Sequence, residues 1–194
     1  MKLIYALIFV LFLILVGLLG FSNFNYKSKI QTIYERKVAM NEMVIRHSFY
    51  GGSLNLSPKT VLFNSSNQSV SLKYITNGKP KLVFRFTDLY CNSCIVSVLP
   101  LLKSFSDSIG KSNIVLFVSA SNQKYSRLLR IDYDLDFPIY SVGYDFVNND
   151  VEKLNSPYLF ILNTDTTGNK IFIPEKSLPE LTEYYFSSIL ELLK

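Results

Sequence analysis

The stretch 81–109 constrains this chain more than any other. Leu82–Phe86 is a short apolar run rich in aromatics, which predicts a buried strand. Thr87–Tyr90 reads as a turn. Cys91 and Cys94 follow with C-x-x-C spacing at the mouth of an amphipathic segment. There Ile95, Val98, Leu99, Leu102, Phe105 and Ile109 recur at helical spacing, and Gly110 with Lys111 supplies a stop. Strand, turn, C-x-x-C and helix, in that order, is the setting in which paired cysteines carry redox chemistry.

The reason is local. A thiolate, not a thiol, attacks disulfides, and an ordinary cysteine with a pKa of about 8.5 is mostly protonated at neutral pH. Cys91 stands just before the expected helix, where unsatisfied N–H groups and the positive end of the dipole favour a thiolate. Cys94 lies about one turn further on, within reach of the first sulfur. Cys91 is therefore the expected nucleophile and Cys94 the resolving thiol. Structural zinc usually takes four ligands, whereas the chain has two cysteines and one histidine, His47. A permanent structural disulfide here would close a very short loop and remove little chain entropy. The expectation is no metal and no cofactor beyond a redox-active Cys91–Cys94 disulfide.

The 194 residues allow one domain plus appendages. A hydrophobic content of 48%, with 13 tyrosines and 15 phenylalanines, excludes a disordered chain. The net charge of +5 is spread along the sequence without a dense basic block. That argues against nucleic acid as a partner and for a solvated surface, with attraction to anionic lipid as the lesser option.

Leu3–Gly20 carries no charge and follows Lys2. As a helix it spans roughly 27 Å, near the thickness of a bilayer's hydrocarbon core. The expectation is an uncleaved signal anchor over 1–21; a cleaved signal peptide and a secreted domain form the lesser option. Lys27, Lys29, Arg36 and Lys37 follow the span, and a positive-inside count would keep the domain in the cytoplasm. A short positive start before an apolar run is the usual export signal, and export to the extracytoplasmic (periplasmic) side is the expectation. Residues 22–53 read as a stalk or linker, helical over Lys27–His47 and broken at Tyr50-Gly-Gly. His47, alone at the stalk's end, is given no role.

From Leu54 the chain turns to strand character. Thr60–Phe63 and Ser69–Ile75 bracket Asn64-Ser-Ser-Asn, which predicts a hairpin, and Asn77-Gly-Lys-Pro leads into the central strand. After the cysteine helix come a strand over Asn113–Ala120, a helix over Ser121–Leu135 and a short strand from Phe137. Tyr158–Asn163 follows as an apolar strand that must lie beside the central one, since both belong in a sheet interior. A turn at Asp165–Asn169 then delivers an antiparallel partner from Lys170. Ser177-x-x-Glu180 reads as a capping box opening a last helix with Leu178, Leu181, Tyr185, Ile189 and Leu192 on one face. The fold class is α/β, a mixed sheet with helices on both faces.

These residues resemble the thioredoxin superfamily, and in particular its membrane-anchored, extracytoplasmic members of the TlpA and cytochrome-maturation type. The likeness covers 54–194 and rests on Gly78-Lys-Pro-Lys-Leu-Val-Phe-Arg-Phe, Cys91-Asn-Ser-Cys94, Phe137-Pro138 and Ser156-Pro157-Tyr-Leu-Phe-Ile-Leu. It implies a thioredoxin-like fold with the hairpin as an N-terminal addition. It implies a cis Pro157 packed beside the cysteine pair, with the backbone of Ser156 binding a partner's extended chain. Tyr90 stands where the family has tryptophan, and Asn92 and Ser93 lie between the cysteines without a proline. Arg85 occupies the position of a buried carboxylate; it cannot serve as a base and needs a partner. Asp88 is the nearest acid, and reads as a turn residue.

The resemblance thus implies a membrane-tethered thiol–disulfide oxidoreductase. Its partners are protein thiols and disulfides, together with a second redox protein. Cys91 and Cys94 are the expected catalytic residues, with Tyr90, Asn92, Ser93, Ser156 and Pro157 in support. The direction of electron flow stays open. The competing class is a binding or assembly module on the same fold, without redox turnover, which Arg85 and the missing tryptophan favour. A thiol peroxidase fits less well, because Thr87 lies four residues before Cys91 rather than three. Copper delivery would want C-x-x-x-C with a distal histidine, a pattern absent here.

Overall fold

A computed structural model describes residues 48–194 apart from 58, 123 and 148, together with scattered positions between 15 and 38. The chain divides into Met1–Val44 and Ile45–Lys194. In the first unit the described positions, among them Tyr26, Ile30, Ile33 and Tyr34, are helical and exposed. His47 and most of the run Leu3–Gly20 lie outside the described residues. Among the described residues no helix is long and apolar enough to cross a membrane.

The second unit is built on one sheet of nine strands: β1 Phe49–Tyr50, β2 Leu54–Asn55, β3 Val61–Phe63, β4 Ser69–Ser71, β5 Lys81–Thr87, β6 Ile114–Ser119, β7 Ile139–Ser141, β8 Tyr158–Leu162 and β9 Thr167–Phe172. Helices α1 Leu72–Thr76, α2 Asn92–Ile109, α3 Lys124–Asp132 and α4 Pro179–Leu193 complete it. The strand order is β1-β9-β8-β5-β6-β7-β3-β4, with β2 also on β9. β5 lies parallel to β6, which lies parallel to β7, through α2 and α3 as crossovers. β8 pairs antiparallel to β5, with Tyr158 opposite Arg85, as its apolar sequence requires.

β5 is buried along its whole length, so its side chains alternate between two cores. Leu82, Phe84 and Phe86 face α2 and α4, where Ile95, Val98, Leu99, Leu102, Tyr185 and Ile189 close the layer. Each such buried side chain contributes about 1.5–3 kcal/mol of transfer free energy. Val83 faces the other core, with Val115, Phe117, Phe160 and Leu162. That face is covered mainly by the short α1 and by Val142, Val147 and Val151, not by a long helix. The core facing α2 and α4 also takes Leu129 of α3.

Two sequence expectations are corrected here. The second hairpin strand stops at Ser71, because the Ser71 hydroxyl accepts from the Tyr74 backbone N–H at 3.3 Å and starts α1. The capping box at Ser177 does not form. The Ser177 hydroxyl donates to the Glu175 carboxylate instead, and α4 begins at Pro179, whose fixed φ suits a first helical position. Its buried face is accordingly Thr182, Tyr185, Phe186, Ile189 and Leu193, with Leu192 exposed. The hairpin itself, β3 on β4, joins the sheet edge through Phe63 opposite Ser141. Gly110 ends α2 at φ 87°, as its place in the sequence predicts.

Candidate active site at the start of helix α2

The central strand delivers Cys91 to the helix through a turn held by its own backbone. The Tyr90 N–H donates to the Thr87 carbonyl at 3.2 Å, and the Leu89 N–H to the Thr87 hydroxyl at 3.1 Å. Asp88 pins this turn to neighbouring loops. One carboxylate oxygen accepts from the Ser121 N–H and hydroxyl, each at 2.8 Å, and the other from Tyr144 at 2.7 Å. Partial burial works against its charge, yet these hydrogen bonds hold its carboxyl below the ordinary range. Asp88 is thus a latch at the turn.

Cys91 is the N-cap of α2 and is exposed; its carbonyl accepts from the N–H groups of Cys94 and Ile95 at 3.0 and 3.2 Å. Its sulfur lies 3.2 Å from the Ser93 hydroxyl, and the Lys176 ammonium donates to that same hydroxyl at 3.2 Å. The Cys91 thiol is lowered to about 7, first by a hydrogen bond from the Cys94 thiol, then by Ser93, the Cys94 N–H and the charge of Lys176. Cys94 is half-buried and pushed up to about 11, by burial first and then by the bond to Cys91 and its charge. Both thiols are free. The pair therefore holds one thiol that ionises near neutral pH against one that keeps its proton. Asn92 opens the helix and is exposed.

Behind the cysteines sits a polar network that the sequence reading missed. Arg85 is fully buried, and its Nε donates to Glu152 Oε1 at 2.9 Å while its Nη1 donates to the Phe86 carbonyl at 2.7 Å. Its guanidinium lies 5.6 Å from the Phe146 ring centre. The Glu152 carboxylate also accepts from Tyr158 at 2.8 Å and from Tyr90 at 2.9 Å. Burial and the neighbouring carboxylate push the Tyr90 hydroxyl up to about 12, and Tyr158 in the same direction. Tyr90, the residue before Cys91, is thereby tied to the buried ion pair. The signal for Glu152 was Arg85 itself, a charge inside an apolar strand that demands a carboxylate.

Ser156 and Pro157 stand just before β8, at the end of the sheet that carries Cys91. Pro157 is buried and Ser156 half-buried. The expected cis bond is not found: among the described residues no peptide bond is cis, so Ser156–Pro157 is trans. The trans form is the ordinary preference of an X–Pro bond. The chain turns at Asn155 instead, in the left-handed region at φ 51° after the single turn Glu152–Leu154. Among the described residues, no hydrogen bond joins Ser156 or Pro157 to either cysteine. Among the described residues, no group of three or more histidine, cysteine and acidic side chains is placed to hold a metal ion.

No family model matches the chain, and no curated protein matches it by sequence. Solved structures do. A protein described as the thiol:disulfide interchange protein DsbE of Chlorobium tepidum aligns with a TM-score of 0.53 at 11% identity, over 73% of this chain and 99% of its own. A thiol-disulfide oxidoreductase of Bacteroides vulgatus gives 0.47 at 18% identity, over 69% and 87%. Peroxidoxin BcpB of Mycobacterium tuberculosis gives 0.49 at 9%, over 75% and 99%. The alignment to the Chlorobium protein, together with the sheet order and crossovers above, shows that the second unit carries a thioredoxin-like fold.

Proposed function

We infer that this protein is a thiol–disulfide oxidoreductase acting through Cys91 and Cys94. The observation that carries the reading is the asymmetry of the pair at the start of α2. Cys91 is exposed and ionises near pH 7, and Cys94 is half-buried and protonated. The Cys91 thiolate attacks one sulfur of a partner's disulfide, forms a mixed disulfide and expels the other sulfur as a thiolate that takes a proton from solvent. Cys91 then carries no charge and accepts no bond from Cys94. Two of the influences that hold the Cys94 proton are thereby removed, leaving burial and the smaller effect of Glu175. Cys94 gives its proton to solvent, attacks the Cys91 sulfur and expels the partner's second sulfur as a thiolate, which takes a proton from solvent. Two electrons pass to the partner, and Cys91–Cys94 becomes a disulfide. The same steps in reverse oxidise a partner dithiol.

Equilibration of the purified chain with graded mixtures of reduced and oxidised glutathione tests this. Both thiols should disappear together in one two-electron transition, with Cys91 and Cys94 joined in the oxidised form. A chain in which only one cysteine becomes glutathionylated, or in which no Cys91–Cys94 disulfide forms, contradicts the reading and leaves a binding module.

The reading extends to place. Supported by the uncharged run Leu3–Gly20, we take the domain to be tethered by an N-terminal anchor on the extracytoplasmic side, as in TlpA-like proteins. A chain with no cysteines beyond this pair also avoids mispairing in an oxidising compartment. Protease added to intact spheroplasts should digest the domain, and the intact protein should sediment with membranes. Protection from protease would show that the basic residues after the run had set the opposite orientation.

A further inference from the structure

The loop between β9 and α4 contributes two charges to the cysteine pair. Glu175 is drawn aside: its carboxylate accepts from the Ser177 N–H at 3.2 Å and from the Ser177 hydroxyl at 3.0 Å. Lys176 points the other way, and its ammonium reaches the Ser93 hydroxyl at 3.2 Å. Ser93 in turn lies 3.2 Å from the Cys91 sulfur. An ammonium has three donors and no acceptor, so the serine oxygen must accept from Lys176. The oxygen has a second lone pair, so it is the charge on Cys91 that sets the second bond: a thiolate has no proton to give, and Ser93 can only donate to it. Such a bond is far stronger to a thiolate than to a thiol.

From this the geometry points to Lys176 as a positioning residue that acts through Ser93 to select the thiolate of Cys91. The chain of donors runs ammonium, hydroxyl, sulfur, and it is strongest while Cys91 carries negative charge. When Cys91 enters a mixed disulfide that charge is gone, and the serine proton loses its best acceptor. The loop before α4 is thus held to the start of α2 most firmly in the reduced, ionised state. The influences on the pair do not all run one way: burial works against the Cys91 thiolate, and Lys176 also eases loss of the Cys94 proton. The Cys94 thiol and N–H also favour the Cys91 thiolate, and Glu175 acts on Cys94, whose proton it helps to retain. The inference rests on the redox reading of the site, but its test does not depend on turnover.

The test is the rate of Cys91 alkylation by iodoacetamide against pH in the reduced full-length protein, read by mass spectrometry. Lys176 is exposed, so the expected effect is modest. Lys176→Met should slow the reaction at pH 6–7 by about two- to five-fold and move the midpoint upward, with the plateau near pH 10 unchanged or higher. Lys176→Arg should keep the wild-type midpoint. Ser93→Ala should shift it in the same direction, and the double variant Ser93→Ala/Lys176→Met should shift it little beyond the larger single effect, because the lysine works through the serine. Raising the salt concentration should shift the wild type and leave Lys176→Met nearly unmoved.

A wild-type midpoint in Lys176→Met overturns the inference, as does a lowered plateau with an unmoved midpoint, which is the mark of local loosening. Fully additive shifts also overturn the route through Ser93. If the midpoint moves as expected but no Cys91–Cys94 disulfide forms in glutathione buffers, the positioning role stands and the redox reading fails.

Discussion

Replacing Glu152 with alanine should cost about 3–5 kcal/mol of folding stability, read as a lower urea midpoint by far-ultraviolet circular dichroism. The reason is what the substitution leaves behind. Arg85 is 0% exposed and its partner side chain 13%, so neither charge reaches bulk solvent readily. Removing the carboxylate strips the guanidinium of its counter-charge, leaves the Tyr158 hydroxyl without its acceptor and leaves Tyr90 with the Glu152 carbonyl at 3.5 Å alone. A second variant separates loss of the pair from loss of packing. Arg85→Leu/Glu152→Leu removes both charges together, and it should recover most of the stability lost by Glu152→Ala. Equal destabilisation in the single and double variants would mean that the ion pair is not what holds this side of β5.

The network also explains a departure that the sequence posed and left open. An arginine in the middle of an apolar strand signals that a partner exists, but not where. The partner lies 67 residues further along the chain, in a polar stretch with no strand or helix pattern. Only the fold brings Val151 into the second core and sets Glu152 beside Arg85. Lys176 was hidden for a related reason: a lysine in a loop is ordinarily solvated, and nothing local ties it to a residue on another element.

What could be read from the sequence was whatever local periodicity and neighbouring turns decide. The strand of β5, the cysteines at the mouth of α2, the stop at Gly110 and the apolar strand of β8 all follow from residues within a few positions of one another. The fully buried β5 and β8 had to pair, and they do. Boundaries set by single side-chain bonds were harder. Ser71 turned strand into helix, and Ser177 chose Glu175 over the helix end. A cis Pro157 is what the resemblance implies; here Asn155 turns the chain and a trans bond follows it.

The largest effect on chemistry belongs to Cys94. In Cys94→Ser the proposed nucleophile, Cys91, remains, still exposed at the start of α2, but the thiol that would release the partner is gone. The mixed disulfide on Cys91 has no internal route to resolution, so turnover should fall to the background rate while the adduct accumulates. The hydroxyl introduced at position 94 can still hydrogen-bond to Cys91, and Ser93, the backbone N–H at position 94 and Lys176 are untouched, so the thiolate should persist. Expressed in cells, quenched with acid and resolved without reductant, this variant should yield dithiothreitol-sensitive adducts in which peptide mapping joins Cys91 to a cysteine of another protein. Cys91→Ser/Cys94→Ser should yield none. A folded Cys94→Ser protein that forms no such adduct, or whose adducts persist when Cys91 is also replaced, would contradict the assignment of Cys91 as the nucleophile of a disulfide exchange.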